Sequence, residues 1–325
     1  MKTAILGAGA LGCVIGGFLA EAGYDVILIG RRQSHIDAIR EKGLIITGFK
    51  GTHTVRVRAT CNPLEVKDAE LLILLTKTMD TPAALDSVPH FYQQVKCAFS
   101  LQNGMAKDEQ LIKRFGQGKV IGGITMVGGA LLGDGQVQYA HEGITFLGEL
   151  DDRKTERVSN IAHMFNSAGL KAEIVDDIRS VEWTKLTLAA SFMALSSLTR
   201  LENQKIMRNQ WLASLYVQLV KECADVAKGV GVQLKEYPSM EIIKSVADAD
   251  FDTAVELVVK SGIELEKAGK TNFKGSMLQS ILSGKKTEVE EIIGYVVRKA
   301  HELSINVPGV EFCYKAIKGI DDYLK

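Results

Sequence analysis

The fold is decided by the stretch Thr3-Ala4-Ile5-Leu6-Gly7-Ala8-Gly9-Ala10-Leu11-Gly12. Its first four residues are typical of a short buried strand, and an apolar helix is predicted over 11–22. The glycines follow the pattern Gly-x-Gly-x-x-Gly, which gives a tight turn, lets the backbone approach a pyrophosphate and lets helix and strand pack closely. The helix N-terminus would offer unpaired amides to the phosphates. A turn that is merely rich in glycine is the alternative. We predict that a dinucleotide is bound by Gly7, Ala8, Gly9, Ala10, Leu11 and Gly12.

The residues that follow alternate between short apolar runs and helical patterns. Continuous apolar runs at 71–75 and 96–101 are typical of parallel strands that are buried on both faces. Thr81-Pro82 predicts a helix start, with Thr81 as the N-cap and the proline at the first helical position. Further strands are predicted at 25–29, 120–127, 137–139, 144–147 and 172–175, and residues 44–47 and 54–58 are predicted to form a strand pair. This alternation predicts an α/β domain of Rossmann type with a doubly wound, parallel sheet.

The pattern changes near Asp176, after which helical periodicity dominates. One helical face is predicted at 289, 292, 293, 296, 300 and 303, and Pro308 is predicted to close that helical region. Apolar residues also recur at every fourth position in the series Trp211, Leu215, Leu219 and Cys223. The sequence therefore predicts two domains, a nucleotide-binding domain over 1–177 and an all-helical, substrate-binding domain over 178–325.

Charge and cysteine usage narrow the classes of function. The 325 residues include 39 acidic and 39 basic side chains, so no net charge draws the chain to nucleic acid or to an anionic membrane. The apolar stretch up to residue 20 resembles a secretory signal, but its glycines favour the dinucleotide loop. The cysteines lie far apart and the histidines lack the spacing of metal ligands, so we expect no metal site and a reducing, cytoplasmic compartment. The expected partner is a small molecule, and a homodimer is compatible with the sequence.

The type of nucleotide is predicted from the end of the second strand. An NAD site usually has an acidic residue there, which holds the ribose hydroxyls. This chain has Gly30-Arg31-Arg32 instead. Because a guanidinium binds a 2′-phosphate through charge-assisted hydrogen bonds, Arg31 favours NADPH (NADP) as the cofactor. The alternative is that both arginines are ordinary surface charges.

Two polar residues follow other predicted strands of the first domain. Lys77 comes after the run at 71–75, and Asn103 comes after the run at 96–101. Open α/β sheets bind ligands at the carboxyl ends of their strands, where a lysine can meet a phosphate and an asparagine can orient an amide or a carbonyl. We therefore expect Lys77 at the cofactor and Asn103 at both cofactor and substrate. Their alternatives are a solvated loop charge and an Asn-Gly turn.

The order of these segments resembles the ketopantoate reductase (2-dehydropantoate 2-reductase) family across nearly the whole chain. The interval of twelve residues from Ser276 to Glu288 fits the family pattern. The matching segments are the glycine loop with Arg31, residues 72–77, Gln102-Asn103-Gly104-Met105, Glu182-Trp183-Thr184-Lys185-Leu186, Ser276-Met277-Leu278-Gln279 and Gly284-Lys285-Lys286-Thr287-Glu288.

The resemblance implies roles for three residues of the second domain. Lys185 would be the general acid, Ser276 would contact the carboxylate of the substrate, and Glu288 would contact its hydroxyl. Lys185 is predicted on an apolar helix, where an unpaired ammonium is costly, although its stem can also reach water. Glu288 has an alternative as a first-turn acid in a capping box, in which Thr287 is the N-cap and Glu290 the third helical residue.

Two departures from the family weaken the identification of the substrate. The family usually has asparagines four and eight residues after the lysine, where this chain has Ala189 and Met193, and its Gln-Asp pair is Gln279-Ser280 here. The function that the resemblance implies is NADPH-dependent reduction of ketopantoate to pantoate, in pantothenate and coenzyme A biosynthesis. The alternatives are a related reductase of another 2-oxo acid or imine, and a sensor that binds NADPH without chemistry.

Overall fold

The computed structural model describes residues 1–240, 242–269 and 274–324. These residues form two compact units, one of residues 1–102 and 106–178, the other of residues 103–105 and 179–325. The domain boundary between residues 177 and 178 stays a prediction. Of the helices that the structure describes, none is both long and apolar enough to cross a membrane.

Twelve strands build three sheets in the first unit. In chain order they are β1 (Thr3–Leu6), β2 (Val26–Ile29), β3 (Leu44–Gly48), β4 (His53–Val55), β5 (Arg58–Thr60), β6 (Leu71–Leu74), β7 (Cys97–Ser100), β8 (Ile121–Thr125), β9 (Gly128–Gly133), β10 (Gln136–His141), β11 (Thr145–Glu149) and β12 (Ala172–Ile174). The helices of this half are α1 (Ala10–Glu21), α2 (Gln33–Lys42), α3 (Thr81–Asp86), α4 (Phe91–Gln94), α5 (Ala106–Phe115) and α6 (Glu156–Ser167).

The central sheet has the strand order β5-β2-β1-β6-β7, and its neighbouring strands are parallel. Leu6 at the end of β1 lies opposite Ile29 on one side and Leu74 on the other. The loops that follow these three strands therefore leave the sheet at one edge. Strands β1, β6 and β7 are completely buried, as their continuous apolar runs predict. The predicted doubly wound, parallel sheet of Rossmann type is confirmed.

Two smaller sheets flank it, with the orders β4-β3-β10-β9 and β12-β11-β8, and both contain antiparallel pairs. The strand predicted over 54–58 is wrong as one element: β4 pairs with β3, whereas β5 joins the central sheet beside β2. Strand β9 was not predicted from the sequence. Its Gly-Gly-Ala-Leu-Leu-Gly sequence lacks the alternation of apolar and polar residues that is typical of a strand. The strand lies at a sheet edge with none of its residues fully buried, so burial does not impose such an alternation.

The second half of the chain is helical in its described part. The helices are α7 (Ile178–Thr199), α8 (Asn203–Arg208), α9 (Gln210–Gly229), α10 (Ile242–Asp248), α11 (Phe251–Lys267), α12 (Ser276–Leu282), α13 (Ile293–Glu302) and α14 (Pro308–Asp321). Helix α7 is buried on nearly every side, which is typical of a central helix. Its hydroxyl groups at Thr184 and Thr199 donate hydrogen bonds to the carbonyls of Ser180 and Leu195, four residues earlier.

The series of every fourth residue lies on helix α9 as predicted, and one other prediction for this half is wrong in detail. Exposure falls along the series, since Trp211 is 82% and Leu215 47% exposed while Leu219 and Cys223 are buried. Steps of four residues advance by about 40° around a helix, so the series winds from solvent into the core. Pro308 does not close a helix but occupies the first turn of α14, where its fixed backbone angle suits helix initiation.

Candidate functional site

The glycine loop joins β1 to α1 as predicted. Gly7 has φ +121°, and a β-carbon there would lie 2.4 Å from the backbone carbon of Leu75. A β-carbon on Gly12 would lie 2.0 Å from the Gly7 carbonyl oxygen, so the first and third glycines are required for close packing. Around Gly9, within the described residues, no atom lies within 4 Å of the position that a β-carbon would take. No described side chain caps this helix start and no acid lies in its first turn, so the loop fits a pyrophosphate.

A buried glutamine fixes the neighbouring loop that carries Lys77. The Gln102 side-chain nitrogen donates to the Thr76 carbonyl at 2.7 Å and to the Thr81 hydroxyl at 2.8 Å, and its oxygen accepts from Ser100 at 3.0 Å. This network ties the end of β7 to the end of β6 and the start of α3. Lys77 is exposed at the edge where ligands bind in such sheets.

The hydroxyl of Thr81 has a different role from the predicted one. Helix α3 begins at Thr81 itself, with Asp80 in the N-cap position, so the predicted N-cap is wrong by one residue. The Thr81 hydroxyl contacts Gln102, which lies 21 residues further along the chain. The sequence analysis quotes Gln102 in a matching segment but gives it no role, because its partners become visible only when the strands are placed side by side.

Arg31 follows β2 at the same edge and is exposed, yet it has a partner. Its guanidinium donates to the Asp80 carboxylate at 2.6 and 3.1 Å. The neighbouring Arg32 lies 2.6 Å from Asp134. The structure therefore brings Arg31 to the predicted position and adds a carboxylate, three residues after Lys77, that the sequence analysis missed.

The residues predicted for the substrate lie in the second unit. Lys185 is half-buried on α7. Its neighbour Trp183 is buried and packs against Tyr295 of α13, with ring centroids 6.1 Å apart. Ala189 and Met193, the two positions that depart from the family, are buried further along α7, rotated by about 40° and 80° from Lys185 around the helix axis.

Ser276 and Glu288 are brought together as their spacing suggests. The Ser276 hydroxyl, at the first residue of α12, donates to the Glu288 carboxylate at 3.3 Å. The same hydroxyl lies 3.9 Å from the sulfur of Met193. A β-carbon on the preceding Gly275 would lie 3.1 Å from the Met193 side chain. Met193 therefore touches the hydroxyl of a predicted substrate residue.

Glu288 lies in an irregular segment that the C-terminal helix holds in place. The Thr287 amide and hydroxyl donate to the Asp321 carboxylate at 3.1 and 2.9 Å. The predicted capping box is wrong, since α13 begins only at Ile293. Glu290 instead accepts from the Tyr314 hydroxyl at 2.9 Å and pairs with Lys318 at 2.7 Å, both on α14. The helical spacing of the apolar residues concealed this segment.

Asn103 groups with the second unit through a short segment, residues 103–105. Gly104 has φ +82°, and a β-carbon there would lie 2.5 Å from the carbonyl oxygen of Glu291. The backbone beside Asn103 thus packs against the segment that carries Glu288. Burial raises the pKa of Glu291, and the negative charge of Glu288 adds to this effect. The region is therefore rich in carboxylates and in partly buried polar groups.

Among the described residues, no group of three or more histidine, cysteine, aspartate or glutamate side chains has a geometry that could hold a metal ion. The predicted site residues form two sets. The glycine loop, Arg31 and Lys77 lie in the first unit, and Asn103, Lys185, Ser276 and Glu288 lie in the second. The first set offers amides and cations for an anionic nucleotide. The second set offers an ammonium, a hydroxyl and a carboxylate for a small polar molecule.

Comparison with known proteins gives full-length matches. Residues 3–152 match the family model Ketopantoate reductase PanE/ApbA, and residues 177–321 match Ketopantoate reductase PanE/ApbA C terminal. The 2-dehydropantoate 2-reductase of Pyrococcus abyssi is 35% identical over 98% of this chain and 97% of its own. The 2-dehydropantoate 2-reductase of Archaeoglobus fulgidus is 31% identical over 99% of both chains.

Solved structures share the fold over the same length. A PanE/ApbA family ketopantoate reductase from Ralstonia eutropha JMP134 is 29% identical, with a TM-score of 0.82 and 99% of each chain covered. A D-mandelate dehydrogenase solved with NADH and anilino(oxo)acetate has a TM-score of 0.85 with 99% of each chain covered. Its identity is 23%, so that likeness concerns the fold alone.

Proposed function

Because the chain belongs to the ketopantoate reductase family of pyridine-nucleotide-dependent oxidoreductases, we propose that it reduces 2-dehydropantoate to pantoate. This reaction supplies pantoate for pantothenate and coenzyme A biosynthesis. The observation that carries the proposal is the Ser276 hydroxyl, 3.3 Å from the Glu288 carboxylate. This contact supports the proposal, because it joins the two residues that the family resemblance assigns to the substrate.

The nucleotide, when bound, supplies a hydride to the carbonyl carbon of the substrate. Lys185 donates a proton to the oxygen of that carbonyl and stabilises its developing negative charge. On substrate binding, the Ser276 hydroxyl would turn its proton from Glu288 to the carboxylate of the substrate, and Glu288 would instead accept a hydrogen bond from the substrate hydroxyl. Asn103 aligns the carbonyl group. Binding at both ends holds the substrate in one orientation, which lowers the entropic part of the barrier.

We propose NADPH as the physiological reductant. The glycine loop would hold the pyrophosphate, with Lys77 near the phosphates. Arg31, which follows β2, would meet a 2′-phosphate. The small-molecule partner would be a 2-oxo acid. A reducing, cytoplasmic compartment would suit the thiols, of which Cys13, Cys97, Cys223 and Cys313 are buried.

The test is the oxidation of NADPH, followed by absorbance, with ketopantoate as the substrate. Lys185→Ala is expected to lower kcat by at least about a hundredfold, the low end for loss of a general acid, with the Kd of NADPH nearly unchanged. Lys315→Ala is the matched control, since this exposed lysine pairs with Glu311 on α14. Unchanged turnover in Lys185→Ala would remove the proposed proton donor.

A second candidate is reduction of a 2-oxo acid with a less polar side chain. It is favoured by the Met193 thioether, 3.9 Å from the Ser276 hydroxyl, where the family usually has an amide. A thioether is a weak hydrogen-bond acceptor and cannot donate, so it favours apolar substrate groups over a hydroxyl. A panel of 2-oxo acids separates the two functions. If the second function is correct, kcat/KM is higher for an alkyl or aryl 2-oxo acid than for ketopantoate.

A further inference from the structure

Asp80 is placed to act on the nucleotide through Arg31. It is the last residue of the short 3-10 helix Thr78–Asp80, which runs directly into α3, so its helical backbone does not place the carboxylate over the first amides of α3 as a capping residue would. In the described residues its side chain makes no such cap. The carboxylate instead accepts hydrogen bonds from both terminal nitrogens of Arg31, at 3.1 and 2.6 Å. The pair joins residues 49 positions apart in the sequence, so it depends on the fold and not on the local chain.

Both partners are fixed by their backbones. The amides of Gly7 and Ala8 donate to the Ile29 carbonyl at 2.9 and 3.0 Å, so the glycine loop is tied to the strand that leads to Arg31. The Asp80 amide donates to the Lys77 carbonyl at 2.9 Å. The pair therefore lies at the edge that carries the phosphate loop, beside the end of β2, where the adenosine ribose lies in sheets of this type.

The pairing changes what Arg31 can offer to a nucleotide. A 2′-phosphate binds a guanidinium best through two parallel N–H donors. Asp80 already accepts from two such donors, and its negative charge repels a phosphate that approaches the same group. A ribose hydroxyl, in contrast, can donate to the Asp80 carboxylate. The carboxylate thus weakens the preference for NADPH that Arg31 alone would give.

Resting on the proposed function, we infer that Asp80 determines nucleotide specificity and brings the affinities for NADH and NADPH close together. The side chains of Arg31 and Asp80 are 78% and 28% exposed, so the competition takes place partly in water and its effect is moderate. The wild-type Kd values for NADH and NADPH are expected to lie within about tenfold of each other. Removing the charge of Asp80 shifts the ratio toward NADPH by about tenfold.

The experiment measures nucleotide binding without substrate, by titrating the fluorescence of NADH and of NADPH with the full-length protein. Asp80→Asn keeps the shape of the side chain and removes its charge. The matched control is Asp86→Asn, since Asp86 ends the same helix and pairs with Arg114 at 2.7 Å. The double variant Arg31→Ala/Asp80→Asn tests whether the gain passes through the guanidinium.

We expect Asp80→Asn to tighten NADPH binding relative to NADH by about tenfold, Asp86→Asn to leave the ratio unchanged, and the double variant to lose the gain. An unchanged ratio in Asp80→Asn, or an equal shift in Asp86→Asn, would overturn the inference while leaving the proposed reduction intact. Failure of both nucleotides to bind the wild type would overturn the proposed function and the inference together.

Discussion

A buried carboxylate in the first unit shows how single residues set the response to acid. The side chain of Glu149 is 2% exposed and accepts from the Arg157 guanidinium at 2.6 Å. Burial alone would raise the pKa of Glu149, but the hydrogen bonds from Arg157 and Thr155 outweigh burial and lower it. A carboxyl group whose pKa is lower in the folded state stabilises the protein above its unfolded pKa. That stabilisation is lost as the pH falls through the folded pKa, below the usual glutamate range near about 4.3.

We predict that Arg157→Ala lowers the free energy of unfolding by about 3 kcal/mol at pH 7, because it leaves a buried carboxylate without its cation. The loss should be smaller at about pH 3, where the carboxyl group of the variant is protonated. Urea unfolding at the two pH values measures both effects. Lys154→Ala is the control, since its pair with Asp176 is exposed on both sides. A loss that does not depend on pH would exclude the charge as its cause.

The candidate site residues were predicted from the sequence wherever a local pattern carries the information. The glycines of residues 7–12 are recognisable because strand, turn and helix are contiguous. The partner of Arg31 is not, because Asp80 lies 49 residues away and the pairing depends on how strands β2 and β6 are ordered. Contacts of this length have no sequence signature without a known sheet order.

At the scale of elements, the C-terminal helix supports the segment that carries Glu288. Asp321 near the end of α14 holds the Thr287 amide and hydroxyl, and Glu222 of α9 accepts from the amides of Gly309 and Val310 at its beginning. Helix α14 is thus fixed at both ends. Its position then determines the position of the Glu288 carboxylate.

We predict that Asp321→Ala raises KM for the substrate by about tenfold and costs about 2 kcal/mol of stability, because two buried donors of Thr287 lose their acceptor. The Kd of the nucleotide should stay the same. Steady-state kinetics and nucleotide titration separate these effects, and Asp321→Asn should restore part of the KM because one oxygen remains. The neighbouring exposed Asp322 provides the control Asp322→Ala. An increase in KM with that variant as well would argue against a specific role of Asp321.

The irregular segment before α13 also shows why elements were misassigned. Val289 and Ile292 continue the helical spacing of the residues after Ile293, and all three are buried. Burial of an apolar side chain does not reveal its backbone conformation. Here the contacts to α14 outweigh helix propensity, as tertiary contacts commonly do. Strands β6 and β7 of the central sheet were predicted correctly because burial on both faces leaves a continuous apolar run.

At the scale of the whole molecule, the nucleotide should stabilise the unit that binds it. Binding to the folded state alone adds about 2.7 kcal/mol to the free energy of unfolding when the ligand is at a hundred times its Kd. We predict that saturating NADPH raises Tm by several degrees in calorimetry. If two unfolding transitions are resolved, the larger increase in Tm should occur in the transition assigned to residues 1–102 and 106–178. An unchanged thermogram at saturating nucleotide would contradict the glycine-loop assignment.

The two tryptophans are intrinsic fluorophores in different surroundings. Trp183 is sealed in the interior, two residues from Lys185, whereas Trp211 meets water over most of its indole. Iodide in solution would quench the fluorescence of Trp211 and leave that of Trp183 unchanged. With Trp211→Phe, all remaining tryptophan emission would come from the lysine-bearing helix, so that events beside the ammonium could be followed in real time without an added dye.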